Sequence, residues 1–183
     1  MTAATREKGQ LMSASEIDRT LVRLAHEVLE KTSDLSTLAF IGIRRRGVPL
    51  AQRLARKIAA LESIDVPVGI LDINLYRDDL STVGIKPVVN KTEIEFSVTG
   101  KEIILCDDVL YTGRTIRAAL DALFDQGRPA RVQLCVLIDR GHRELPIEAR
   151  YIGRMIQTTA NEIIEVKFQE IDNIEKVLLV EKV

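Results

Sequence analysis

Residues 103–115 read IILCDDVLYTGRT. Ile103, Ile104, Leu105 and Cys106 make a short apolar run, as a buried strand does. The run ends on two adjacent carboxylates, Asp107 and Asp108, and passes through Val109 and Leu110 into the loop Tyr111, Thr112, Gly113, Arg114, Thr115. A helical pattern over 116–124 follows and is stopped by Gly127 and Pro129. Gly113 lets backbone approach a ligand closely, and the unbonded N–H groups of a helix's first turn favour a phosphate. The hydroxyls of Thr112 and Thr115 add donors. Carboxylates aimed at a phosphate would repel it, so Asp107 and Asp108 suit a neutral partner. A vicinal diol fits, because its hydroxyls donate to carboxylate oxygens. Loop and carboxylates together describe a site for a 5′-phosphorylated ribose. The plainer alternative, two aspartates that only cap a helix, leaves the packing of Thr-Gly-Arg-Thr into one loop unexplained. The chain has neither a Gly-Lys-Ser/Thr phosphate loop nor a G-x-G-x-x-G fingerprint.

Outward from this segment, strands alternate with helices. An apolar run at 38–43 (LAFIGI) precedes Gly47 and Pro49, a turn into a helix that buries Leu50, Leu54, Ile58 and Leu61. Further strands are expected at 66–75, 102–106 and 132–138, with short ones at 151–153, 163–168 and 177–180. This alternation predicts an α/β fold, a mainly parallel central sheet flanked by helices on both faces, in one domain over 1–183. Ligands then bind at the carboxyl ends of the strands, after residues 43, 75, 106 and 138. Residues 1–12 read as a mobile tail. Ser15 is the expected cap of a first helix that buries Ile17, Leu21, Leu24 and Val28 and turns Arg19, Arg23, His26 and Glu30 outward. The stretch 76–100, with Gly84, Pro87, Asn90 and Gly100, reads as a flexible arm or hairpin projecting from the domain.

Composition narrows the function classes. A net charge of -1 gives no bulk attraction to nucleic acid, so any polyanion surface must be local. Trp is absent and Tyr and Phe number only 3 and 4, which argues against a base-stacking surface for single strands. Cys106 and Cys135 each sit in an apolar run and read as buried, reduced thiols. With only His26 and His142 besides, no zinc-ligand spacing exists. No apolar run approaches about 18 residues, and 1–10 has no secretion-signal pattern, so a cytoplasmic protein without a membrane span is expected.

The segment 103–115 resembles the phosphoribosyl-pyrophosphate motif of the type I phosphoribosyltransferases. With LYRDDL (75–80), GIRRRG (42–47), RLAHEVLE (23–30), GRPARVQL (127–134) and DRGHRELPI (139–147), the chain is similar, over roughly residues 13–170, to the bifunctional pyrimidine-operon attenuation regulators and uracil phosphoribosyltransferases. That resemblance implies a type I phosphoribosyltransferase fold with a flexible β-arm over the site and a small hood, placed at 139–160 with the base pocket. It implies conversion of uracil and phosphoribosyl pyrophosphate into UMP and pyrophosphate, with Mg²⁺ carried by the pyrophosphate and no metal ligand on the protein. Asp107 and Asp108 would hold the ribose hydroxyls, and Thr112 to Thr115 the 5′-phosphate. Arg44, Arg45, Arg46 and Gly47 would form the pyrophosphate loop, whose guanidinium and backbone donors suit a leaving diphosphate. Arg45 and Arg77 join the two aspartates as catalytic candidates, with Asp139, Arg140 and Ile156 at the base. The resemblance further implies a homodimer or tetramer that binds a leader mRNA stem-loop under control of UMP or UTP. Arg19, Arg23, His26, His142, Arg143 and Arg154 are the residues that match the RNA surface in kind. Val22, Arg45 and Glu148 depart from the family's usual residues. Two other readings stay open: a nucleotide-sensing RNA binder with vestigial catalysis, and a purine-salvage enzyme that touches no RNA.

Overall fold

The computed structural model describes residues 5–76 and 91–183. Its centre is a five-stranded sheet built from β2 (Leu38–Ile43), β3 (Val68–Leu71), β4 (Glu102–Leu110), β5 (Arg131–Asp139) and β6 (Tyr151–Met155). The order is β3-β2-β4-β5-β6, and every pairing is parallel. Both faces are covered, which is why β2 is buried at all six positions and reads as an unbroken apolar run. Phe40, Ile104, Cys106 and Leu137 face the helices α1 (Ala14–Lys31) and α2 (Gly47–Glu62). Ala39, Ile41, Ile103, Leu105 and Val136 face α3 (Arg114–Phe124). Cys106 and Cys135 are register partners in the middle of the sheet, both buried and reduced. No helix among the described residues is long and apolar enough to cross a membrane.

Five sequence expectations change. Residues 5–12 are not a tail: β1 (Thr5–Ser13) pairs antiparallel with β8 (Lys176–Lys182), and β8 pairs with β7 (Glu162–Lys167), giving a second, three-stranded sheet. Two register breaks, at Glu7/Gly9 and Gln10/Met12, spoil the alternation that would betray a strand, and the partner strand lies at the other end of the chain. Met12 is nevertheless fully buried, and Lys8 Nζ binds Glu162 Oε1 at 2.6 Å. The cap of α1 is Ser13 rather than Ser15. Its hydroxyl accepts the Glu16 N–H while the Glu16 carboxylate accepts the Ser13 N–H, a complete capping box.

The strand expected over 66–75 shortens to Val68–Leu71. Asp72 then accepts the Asn74 N–H at 3.1 Å and turns the chain into a 3-10 turn over Asn74–Tyr76. Within the expected arm, Ile94, Phe96 and Val98 pack onto the α3 face of the core, and Ile70 and Glu93 exchange backbone hydrogen bonds of 2.8 Å. Residues 91–100 therefore lie along the sheet edge; residues 77–90 of the arm, including Arg77, fall outside the described residues. Residues 139–160 do not form a hood, because β6 is the edge strand of the main sheet. The separate layer comes from the chain's two ends.

If β1 is structural, Met12→Ala should cost about 2–4 kcal/mol of unfolding free energy in a urea titration, as a buried large-to-small change does. A change below about 0.5 kcal/mol, the usual size at an exposed site, would restore the tail.

Candidate functional site

The chemistry-bearing residues meet where β2 and β4 end. At the turn into α2, a Cβ on Gly42 would lie 2.5 Å from Val48 Cα, and one on Gly47 would lie 2.2 Å from the carbonyl oxygen of Cys106. Only glycine permits this approach, which seats the loop Arg44, Arg45, Arg46 directly beside the end of β4. The Arg44–Arg45 peptide is cis. Asp107 is buried, and its Oδ1 accepts the Asp108 N–H at 3.0 Å; Asp108 Oδ1 accepts the Val109 N–H at 2.9 Å. Burial pushes the Asp108 carboxyl above its ordinary value, opposed by these hydrogen bonds and by the nearby Arg46 charge. Asp108 and Arg46 line a cleft of about 300 Å³ whose remaining wall is Ile164, Glu165, Val166 and Lys167 of β7. A cavity of about 370 Å³ by α2 and β3, lined by Gln52, Arg56 and Val66, contains none of the motif residues.

Three of the phosphate-suited arginines, Arg44, Arg46 and Arg114, are already oriented by a carboxylate. Arg44 Nη2 reaches Glu93 Oε1 at 2.8 Å and the Lys91 carbonyl at 2.9 Å. Arg46 Nη2 reaches Asp172 Oδ1 at 2.7 Å, and Arg114 Nε reaches Glu144 Oε2 at 2.6 Å. The Nε atoms of Arg44 and Arg46 are buried with no partner among the described residues. Arg45 is exposed.

At the head of α3, Gly113 has φ +91°, a left-handed conformation that a side chain resists, and offers no side-chain cap to the first-turn N–H groups. A Cβ there would crowd Ile147 and Leu145 at 3.3 and 3.4 Å. The loop 139–147 thus packs directly on the loop 111–115. Thr112 O accepts the N–H groups of both Glu144 and Leu145, at 2.9 and 3.2 Å. The two stretches that the sequence singled out separately form one unit.

Arg143 holds that unit together. It donates to Ile147 O, Tyr111 O, Gly141 O and Asp139 Oδ2, the last at 2.5 Å. Its donors are used inside the loop, unlike those of an exposed polyanion contact. The Asp139 carboxylate is likewise engaged, by Arg143 and the Gly141 N–H, while the Asp139 carbonyl accepts the Ile156 N–H at 2.9 Å. Arg140 is buried, lies 3.9 Å over the Tyr111 ring, and donates to Thr158 Oγ1 and the Glu162 carbonyl. Asp139, Arg140 and Ile156 are therefore brought together at the end of β5, next to Tyr111.

On α1, Arg19 and His26 are exposed. Arg23 instead bonds the carbonyls of Ile152 and Gly153 at 3.2 and 2.5 Å, and Arg154 bonds the Leu11 carbonyl at 2.6 Å. His142 lies in the loop, with Nε2 2.6 Å from Thr158 O. Sequence reasoning missed the wall from β7, the Asp172 partner of Arg46 and the Glu144 partner of Arg114. Residues 162–172 carry no motif, and their approach to Arg46 depends on the far end of the chain.

The phosphoribosyl transferase domain model matches residues 9–171. A bifunctional protein PyrR from Pelotomaculum thermopropionicum is 56% identical over 176 residues, covering 96% of this chain and 97% of that protein. The chain belongs to the PyrR branch of the phosphoribosyl transferase family. Another PyrR, from Thermus aquaticus, is 55% identical and covers 97% of this chain and 98% of its own. Among solved structures, a hypoxanthine-guanine phosphoribosyltransferase from Bacillus anthracis superposes with a TM-score of 0.72 at 21% identity, covering 97% of this chain and 99% of that one. The hypoxanthine phosphoribosyltransferase of Trypanosoma cruzi gives 0.70 at 14% identity, over 97% and 98%. These two establish the type I phosphoribosyltransferase fold, and the five-stranded parallel sheet of this chain is its core.

Because burial raises the Asp108 pKa, folding favours its protonated form. Stability is lost as pH rises through and above the ordinary value of 3.8. Asp108→Asn keeps the acceptor for the Val109 N–H and cannot ionise. At pH 7 the variant should melt at or above the wild-type temperature, with the gap closing toward pH 3. A variant markedly less stable at pH 7 would contradict the buried-charge account.

Proposed function

We propose that this phosphoribosyltransferase joins uracil to phosphoribosyl pyrophosphate, giving UMP and pyrophosphate, and regulates pyrimidine biosynthesis genes by binding leader mRNA under control of UMP or UTP. The observation that carries the reading is the junction at Thr112, where the DDVLYTGRT segment and the DRGHRELPI loop share hydrogen bonds. The close identity to proteins named bifunctional supports two activities on one chain.

The chemistry asked of the residues is charge placement. As the bond from the anomeric carbon to pyrophosphate breaks, positive charge builds on the sugar and negative charge on the leaving group. Asp107 and Asp108 accept the ribose hydroxyls and set negative charge beside the developing cation. A sugar diol and a positive ribose both favour the ionised form of Asp108 and so offset the burial that opposes it. The first-turn N–H groups of α3, with Thr112, Arg114 and Thr115, take the 5′-phosphate. Arg44, Arg45 and Arg46 stabilise the leaving diphosphate, and Arg140 and Ile156 border the base.

An Mg²⁺ ion would arrive on the polyphosphate with most of its ligands already supplied by phosphate oxygens and water. Bound there, the ion would offset charge on the pyrophosphate oxygens. Arg77 lies outside the described residues. Arg19, Arg23, His26 and His142 are all exposed, but Arg23 and His142 bond carbonyls of the protein, which favours Arg19 and His26 of α1 as RNA contacts. The acting species is a cytoplasmic homodimer or tetramer.

Incubation of the protein with phosphoribosyl pyrophosphate, Mg²⁺ and uracil should yield UMP, whereas hypoxanthine and guanine should give no nucleotide. Nucleotide from the purines alone would refute the pyrimidine assignment. Arg19→Ala with His26→Ala should leave UMP synthesis within about twofold and weaken leader-RNA binding about tenfold or more, since each lost phosphate contact removes a salt-dependent share of affinity. Unchanged RNA affinity in the presence of UMP would place the RNA elsewhere.

A further inference from the structure

The cleft between Asp108 and Arg46 has a wall that no motif announced. Ile164, Glu165, Val166 and Lys167 come from β7, in the small sheet built by the chain's two ends. Just beyond β7, Asp172 makes two bonds at once. Its Oδ1 accepts from Arg46 at 2.7 Å, and its Oδ2 accepts the Phe168 N–H at 2.9 Å. The Phe168 ring is fully buried, so the carboxylate is anchored to a fixed point of the fold. Arg46 is thereby held from the C-terminal side, while its buried Nε has no partner among the described residues. Lys167 is half-buried, with its ammonium 3.3 Å from Glu165 Oε2 and its charge acting on Asp172. Two cations, Arg46 and Lys167, thus stand around one carboxylate at the edge of the cleft that adjoins Asp108.

We infer that the C-terminal layer completes the pyrophosphate subsite, Lys167 as a direct ligand of the diphosphate and Asp172 as the positioning residue that aims Arg46. The inference rests on the proposed transferase reading, because a diphosphate leaves from a sugar held at Asp108. The charges around the cleft agree with its ligand. Asp108, Glu165 and Asp172 outnumber the two cations, so a metal-complexed diphosphate suits it better than a bare tetra-anion. Glu165 holds Lys167 until the diphosphate takes it over, and that half-exposed pair is weak, so the exchange is easy. Asp172 is less exposed and keeps its hold on Arg46.

The test compares a ligand that occupies this subsite with one that leaves it empty. Magnesium pyrophosphate and UMP are titrated separately into the full-length wild type, Lys167→Met, Asp172→Asn and Asp172→Ala. Lys167→Met should weaken magnesium pyrophosphate binding about tenfold, the size of one lost charge-assisted hydrogen bond, and leave UMP within about twofold. Asp172→Asn keeps an acceptor for the Phe168 N–H and should weaken pyrophosphate while retaining the melting temperature. Asp172→Ala should lose both. Pyrophosphate affinity unchanged in Lys167→Met, or UMP lost in parallel, overturns the ligand role. Melting temperature lowered in Asp172→Asn with pyrophosphate affinity intact reduces Asp172 to a structural cap and overturns its positioning role. Wild type that binds UMP and pyrophosphate but forms no UMP from uracil refutes the uracil reading and leaves the subsite assignment standing.

Discussion

The site depends on one close contact. Gly47 presses against the carbonyl of Cys106 so tightly that a methyl group would sit at 2.2 Å, and Gly42 meets Val48 almost as closely. With any side chain at Gly47, α2 would have to withdraw from the end of β4. The arginine loop would then separate from Asp107 and Asp108. That contact sets a row of cations beside two carboxylates, Asp107 buried and Asp108 half-buried, and the rest of the molecule maintains it. The parallel sheet fixes the height at which β2 and β4 end. The helices α1 and α2 bury one face of that sheet, and α3 brings its first-turn N–H groups to the same edge.

Arg44, Arg46 and Arg114 share a second principle. Each is held by a carboxylate from a distant part of the chain: Glu93, Asp172 or Glu144. A guanidinium left free would sample many rotamers and lose entropy on meeting a phosphate. Held in advance, it loses less. The same arrangement joins the site to the edge stretch 91–100, to the loop 139–147 and to the turn that follows β7.

The parallel sheet and its ligand-bearing edge were legible because buried strands announce themselves as apolar runs, and LAFIGI and IILC are both of that kind. The phosphate loop was legible because its residues are contiguous. What escaped reading was non-local. β1 carries Arg6, Glu7 and Lys8 in succession and two register breaks, and only its pairing with β8 makes it a strand. Asp172 and Lys167 look like ordinary surface charges until β7 is brought against Arg46. Arg143 failed in the opposite direction. Its residue type suited an RNA surface, yet the loop curls so that its donors meet four partners within the loop and its neighbour. Charge and spacing gave the chemistry of a side chain, and only the fold gave its direction.

The central claim is that the arginine loop, the two aspartates and the head of α3 form one ligand site. Backbone hydrogen exchange, followed by mass spectrometry with and without phosphoribosyl pyrophosphate and Mg²⁺, tests it directly. The account predicts slowed exchange in 44–47 and in 107–115 together, at the same ligand concentration. Protection of one segment without the other, or of neither while the ligand is bound, would contradict it.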